Sequence, residues 1–137
     1  MASFRDNLAE NVTLEGAVMN GVLTGRDAVL AQLAVVNEFY RDRVDIARFD
    51  QGEYVVEQYS ATVAGRPVQA IALMHRDGDG RFDRVVVNHW PLSATLTFSR
   101  LLAESPIGQA EDPARFYRPD GQSYQDLLDY TDRQPAR

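Results

Sequence analysis

A chain of 137 residues, 45% hydrophobic and 25% charged, has the size and composition of one globular domain with a sizeable core. Its net charge of −6, with basic residues scattered singly, excludes the clustered cations that nucleic acid and anionic membranes require. With no cysteine, disulfides, thiolate nucleophiles and Cys-ligated metals are excluded as well.

The opening MASFRDNLAE lacks a basic-then-apolar leader pattern, and no apolar run reaches the length of a membrane span; a cytoplasmic location is expected. Ser3 opens a short helical segment in which Phe4 and Leu8 lie one turn apart. Residues 11–18 (NVTLEGAV) then alternate, with Val12, Leu14, Gly16 and Val18 on one side. This is a strand, and Gly16 marks a bulge or a place where another group comes close. Thr24 and Asp27 form an N-cap signal for the segment GRDAVLAQLAVVNEFYRD. Val29, Leu33, Val36 and Phe39 or Tyr40 recur there at helical spacing, so an amphipathic helix is expected to lie on a sheet. Residues 43–49 (RVDIARF) alternate as another strand and end at a turn over Asp50, Gln51 and Gly52.

Three strands follow between Glu53 and Trp90, separated by turn signals at Ala64-Gly65-Arg66 and at Asp77-Gly78-Asp79-Gly80. Asp77 to Gly80 resembles part of a calcium loop, but the remaining ligands are missing, and it reads as a hairpin turn. Pro91 stops the third strand, and LSATLTFSRLLAE (residues 92–104) reads as a helix. From Ser105 the composition turns to Pro, Gly and charge. Two regions are thus expected, a domain over residues 1–104 and an extension over 105–137. Phe116, Tyr117, Leu127, Leu128 and Tyr130 are too apolar for a solvated tail, so docking on the domain or on a partner subunit is expected.

Period-two alternation sorts the faces of the central strands. One face carries Val55, Glu57, Tyr59, Ala61 and Val63, then Ala70, Ala72 and Met74, then Val85, Val87 and His89. The other carries Ile71, Leu73, Val86 and Trp90 beside Arg84 and Asn88. A sheet apolar on both faces is covered on both. Either the C-terminal helix and tail or a second subunit provides the outer cover, and Ile71, Leu73, Val86 and Trp90 are the expected interface anchors.

The order short helix, strand, GRDAV helix, long hairpins with a DGDGRF turn, VVVNHW and PLSA resembles the NTF2-like, or SnoaL-like, superfamily over about Phe4 to Glu104. The resemblance implies an α+β, cystatin-like fold: a cone-shaped, curved antiparallel sheet wrapped around helices, with a pocket between them and commonly a homodimer packed sheet to sheet. The family includes ketosteroid isomerase, polyketide cyclases, epoxide hydrolases, dehydratases and non-enzymatic binders. The resemblance places Glu15-Gly16 where the isomerase carries its catalytic base, and Ala72 where it carries a proton-donating aspartate. Without donors an oxyanion hole stabilises nothing, and ketosteroid isomerase chemistry is not expected. The Asp-Arg-Asp set of the epoxide hydrolase is missing too, its late-strand positions falling on Val85, Val87 and His89.

Glu57, Tyr59 and His89 remain as candidate catalytic residues: a carboxylate raised by an apolar setting, a hydrogen-bond donor, and an imidazole that titrates near neutrality. Alternatively, Glu57 and His89 satisfy each other or an arginine at the rim. Leu14, Gly16, Leu33, Val55, Ala72, Met74, Val85 and Val87 are the expected ligand contacts. His75 is expected to be exposed at a strand end, and Arg26 to pair with Glu15 or another acid. His75 and His89 have no metal-binding spacing, so neither metal nor cofactor is expected. The expected partners are a small molecule and a second copy of the chain, not nucleic acid or membrane. The leading functional reading is a pocket for a small, mostly apolar, cyclic or polyketide-like molecule. A cofactor-independent acid–base enzyme (isomerase, cyclase or dehydratase) using Glu57 and His89 is the alternative, and a protein-interaction adaptor ranks third.

Overall fold

The computed structural model describes residues 4–110 and 114–118. A 3-10 turn at Phe4–Asn7 leads into β1 (Leu8–Gly16), and a short β2 (Leu23–Thr24) folds back on it. Then come α1 (Arg26–Phe39), β3 (Arg41–Gln51), β4 (Tyr54–Val63), β5 (Arg66–Arg76) and β6 (Phe82–Trp90). Two helices, α2 (Leu92–Glu104) and α3 (Pro106–Ala110), follow. The described strands form one six-stranded curved sheet in the order β2-β1-β6-β5-β4-β3, so the fold is mixed α+β. β3 to β6 are antiparallel neighbours, whereas β1 runs parallel to β6.

Local chemistry explains the turns. Ala64 and Gly65 both have positive φ, 50° and 77°, as a tight two-residue hairpin requires. In the next hairpin the Asp77 carboxylate accepts the backbone N–H groups of Asp79 (2.9 Å) and Arg81 (3.0 Å), so its acidic residues shape a turn. Thr24 does not cap α1, because it is paired with Thr13 in the β1–β2 ladder. Gly25 takes the N-cap position at φ 106°, without a side-chain cap. In α2 the threonine that weakens helix propensity has a use: Thr95 donates its buried hydroxyl to the His89 carbonyl (2.8 Å). It thereby ties the helix to the strand that precedes it.

The inner face of the sheet holds the core. Val55, Tyr59, Ala61, Val63, Val68, Ala70, Ala72, Met74 and Val85 are buried against Val29 and Leu33 of α1 and Phe98 and Leu102 of α2. Phe116 is buried in the same core and bridges to Met19. The Tyr117 N–H donates to Ser99 Oγ (2.7 Å), whose own hydroxyl donates to the Val18 carbonyl (2.6 Å). Residues 114–118 therefore pack on this chain's own domain; Leu127, Leu128 and Tyr130 lie outside the described residues.

None of the described helices covers the outer face. Trp90 and Ile71 stay 39% and 40% exposed there, with Tyr54 beside them, and Leu73 and Val86 are half-buried. The expectation that the C-terminal helix covers this face fails for a simple reason: α2 doubles back at Pro91 and places Phe98 against Tyr40 and His89, on the inner side.

Candidate functional site

The register of the sheet creates a hollow. Across β4, β5 and β6 one inner row reads Tyr59, Ala70, His89 and the next reads Glu57, Ala72, Val87. In both rows the middle strand contributes only a methyl group, so the larger side chains stand on either side of a gap. Helix α1 closes this gap from above with Gln32, Leu33, Val36 and Asn37, and with Tyr40 at its C-cap. Leu14, Gly16, Val18, Met19 and Phe4 add apolar wall, and the charged Arg5 and Glu15 line it as well. The space within it open to the centre of a water molecule is about 50 Å³. Widened by the ~1.4 Å radius of that water, such a space holds on the order of ten non-hydrogen atoms.

Tyr40 sits above Ala70 and bridges the two ends of its row. Its hydroxyl lies 2.9 Å from Tyr59 Oη and 2.6 Å from His89 Nε2. Phe98 packs edge-on against both the Tyr40 and His89 rings, at 5.6 and 5.2 Å between centroids, and fixes their planes. Burial dominates the electrostatics. It pushes His89 down to about 4, and it raises both phenols, Tyr40 strongly, with neighbouring Tyr59 adding to the rise. All three groups are therefore neutral around pH 7.

Proton counting narrows the tautomer of His89. If Nδ1 carries the proton, Tyr40 donates to Nε2 and Tyr59 to Tyr40, leaving a buried Nδ1–H without an acceptor. If Nε2 carries it, Nδ1 is an unpaired lone pair, which is the milder defect for a buried group. The chain then holds three protons for two hydrogen bonds. One phenolic O–H is left over for a guest in the cavity.

Glu57 lies at the mouth, not in an apolar setting. Arg48, opposite it on β3, donates to its carboxylate at 2.5 Å, and the Arg43 guanidinium is 3.9 Å away. Arg43 also stacks 3.8 Å over the Tyr59 ring and bonds Asp45. No hydrogen bond or ion pair joins Glu57 to His89, whose ring is held by Tyr40; the two candidates line one cavity with different partners. Of the expected ligand contacts, Leu14, Gly16, Leu33, Ala72 and Val87 line the cavity. Val55, Met74 and Val85 do not. They are fully buried on the same face but nearer the other end of the strands, where the core is solid.

Sequence reasoning misses Tyr40, Gln32, Asn37 and Arg43 as site residues. Spacing marks Tyr40 as an apolar helix position, and nothing local shows that it turns onto a strand 49 residues away. His75 is not a bare strand-end residue: its Nδ1 is 2.6 Å from Asp83 Oδ1, and its ring packs on Tyr54. Arg26 pairs with Glu10 (3.5 Å), while Glu15 pairs with Arg84 (2.8 Å). Among the described residues no three His, Asp or Glu side chains gather as metal ligands, and no helix is long and apolar enough to cross a membrane.

No family model and no curated protein matches the sequence. Several solved structures match the fold. A steroid delta-isomerase from Pseudomonas aeruginosa superposes with a TM-score of 0.71 at 19% identity, covering 77% of this chain and 79% of its own. An uncharacterised bacterial protein with a cystatin-like fold from Silicibacter pomeroyi DSS-3 gives 0.70 at 18%, covering 74% and 72%. An NTF2-like protein of unknown function from Cytophaga hutchinsonii gives 0.53 at 21%, covering 66% and 75%. At these identities the likeness speaks for architecture alone. Sheet order, helix placement and these neighbours together give the chain an NTF2-like, cystatin-like fold.

Proposed function

We propose that this chain binds a small, mostly apolar cyclic molecule bearing a hydrogen-bond acceptor such as a carbonyl oxygen. The observation that carries the reading is the neutral Tyr59–Tyr40–His89 chain, with its spare proton, in the wall of an apolar cavity. The innermost space suits a one- or two-ring compound. Binding is favoured over proton transfer by two features. Glu57 is gripped by arginine, and raised phenols are poor acids. A cytoplasmic setting suits a chain without cysteine.

Acetophenone serves as a probe. Titrated into the ¹⁵N-labelled protein, it is expected to shift the amides of Tyr59, Ala72 and Val87. Tyr40→Phe combined with Tyr59→Phe, which removes both phenolic donors, is expected to weaken it about three- to tenfold, the worth of one hydrogen bond. Shifts confined to the outer face, or none at all, overturn the reading.

We also propose that the outer face pairs with a second copy of the chain. Ile71, Leu73, Val86 and Trp90 form a patch that Tyr54 and Phe49 extend towards β3, larger than scattered surface residues would give. Light scattering is expected to find a dimer at tens of micromolar, and Trp90→Glu combined with Ile71→Glu a folded monomer. A wild-type monomer at that concentration rejects self-pairing.

A further inference from the structure

Helix α1 brings a further polar group into the cavity, at the end away from Tyr40. Gln32 lines it, is 1% exposed, and stands two turns before Tyr40 in the row Gln32, Val36, Tyr40. Eight residues at 1.5 Å each set the two ends roughly 12 Å apart along the helix axis. The Gln32 Nε2 donates to Met19 Sδ at 2.7 Å. A thioether accepts but cannot donate, so this amide orientation is the one that gains a bond. Its Oε1 is then buried and accepts from nothing in the described protein. Leucine or methionine fills a similar volume without stranding a carbonyl, so packing alone does not explain a glutamine here.

Resting on the binding role proposed above, we infer that Gln32 is a specificity-determining residue. Its Oε1 accepts a hydrogen bond from an O–H or N–H at one end of the ligand, and the tyrosine pair donates to a carbonyl oxygen at the other. The ligand class is therefore a compact, bifunctional ring compound, such as a hydroxylated aryl or cyclic ketone, laid along α1 over Ala72. Val36, Leu33 and Val87 contact its apolar middle.

Three ketones test this on the full-length protein, with affinities read by NMR titration: acetophenone, para-hydroxyacetophenone and para-methoxyacetophenone. The hydroxy compound is expected to bind about tenfold more tightly than the other two, because only it donates to Oε1. Gln32→Met is expected to bring that ratio to about one. Tyr40→Phe combined with Tyr59→Phe weakens all three and preserves the ratio. If acetophenone binds but the wild-type ratio is one, water serves Oε1 and the role of Gln32 is overturned while the binding site stands. A Gln32→Met variant that keeps the ratio overturns that role in the same way. If none of the ketones shifts the cavity residues, the site and the inference fall together. Should Gln32→Met misfold, Gln32→Leu, of similar volume and equally without an acceptor, takes its place.

Discussion

Gly16→Ala will lower stability by about 3–5 kcal/mol, combining an overpacked contact with a strained backbone. A Cβ built on Gly16 would lie 1.8 Å from the carbonyl oxygen of Val87 and 2.7 Å from its carbonyl carbon. Both are backbone atoms of β6, so no side-chain rotation relieves the clash. Relief requires the end of β1 to move away from β6, breaking the Gly16–Val87 pairing and the Ala17 N–H bond to the same carbonyl. The glycine also has φ +154°, at the edge of what an L side chain adopts. Because a domain of this size has about 5–15 kcal/mol of stability in total, the variant should lose a large share of it. Gly78 is the matched control. It is exposed in the last hairpin with nothing within 4 Å of its would-be Cβ and no positive φ, so Gly78→Ala should stay within about 0.5 kcal/mol. Urea midpoints for the two variants give the comparison. A Gly16→Ala midpoint close to wild type would show that β1 and β6 are not held this tightly.

That glycine is legible in the sequence as a bulge or a close approach, but neither the choice nor the partner is, because alternation carries no information about which strand lies alongside. The same division runs through the site. Parity sorted Glu57, Tyr59, Ala72 and His89 onto one face, and the register agrees. Parity gives no height along a strand, which is why Val55, Met74 and Val85 were expected in the cavity wall and are found in the packed core. An arginine at the rim is among the partners the sequence allows for Glu57, but which arginine is hidden by a bulge. Reading residues 43–49 as a regular strand puts Asp45 and Ala47 on one face and Arg48 on the other. In the ladder Asp45 faces Tyr59 but Ala47 faces Gln58, and the extra residue turns Arg48 inward onto Glu57. One residue of slip thus converted a candidate general base into half of an ion pair. Tyr40 escaped notice for a related reason: it stands where α1 ends, and only tertiary packing decides which way it turns.

Burial of His89 makes a second large effect, this time on pH dependence. Its imidazole falls from the ordinary 6.5 to about 4 in the folded chain because the core desolvates it, while the unfolded chain keeps the ordinary value. Above pH 6.5 neither state binds the proton, and the group adds no pH dependence. As pH falls from 6.5 towards 4, the unfolded chain takes up a proton that the folded chain refuses, so stability drops. The full loss, reached near pH 4, is on the order of 3 kcal/mol. His75 works in the opposite sense. Its hydrogen bond to Asp83, helped by Glu53, raises it; that contribution is complete below the unfolded value and fades as pH rises through the folded one. Urea unfolding at pH 7 and pH 4.5 should show a smaller acid loss for His89→Gln than for wild type, and a larger one for His75→Gln. A His89 imidazole that titrates near 6.5 by NMR, or a His89→Gln variant with the wild-type acid slope, would mean that the ring is not shielded. The cavity would then be wetter than Phe98 and Tyr40 make it. The shielding that weakens the fold in acid also keeps Tyr59, Tyr40 and His89 in one protonation state around neutrality, so the spare phenolic proton is available to a ligand without waiting on a titration.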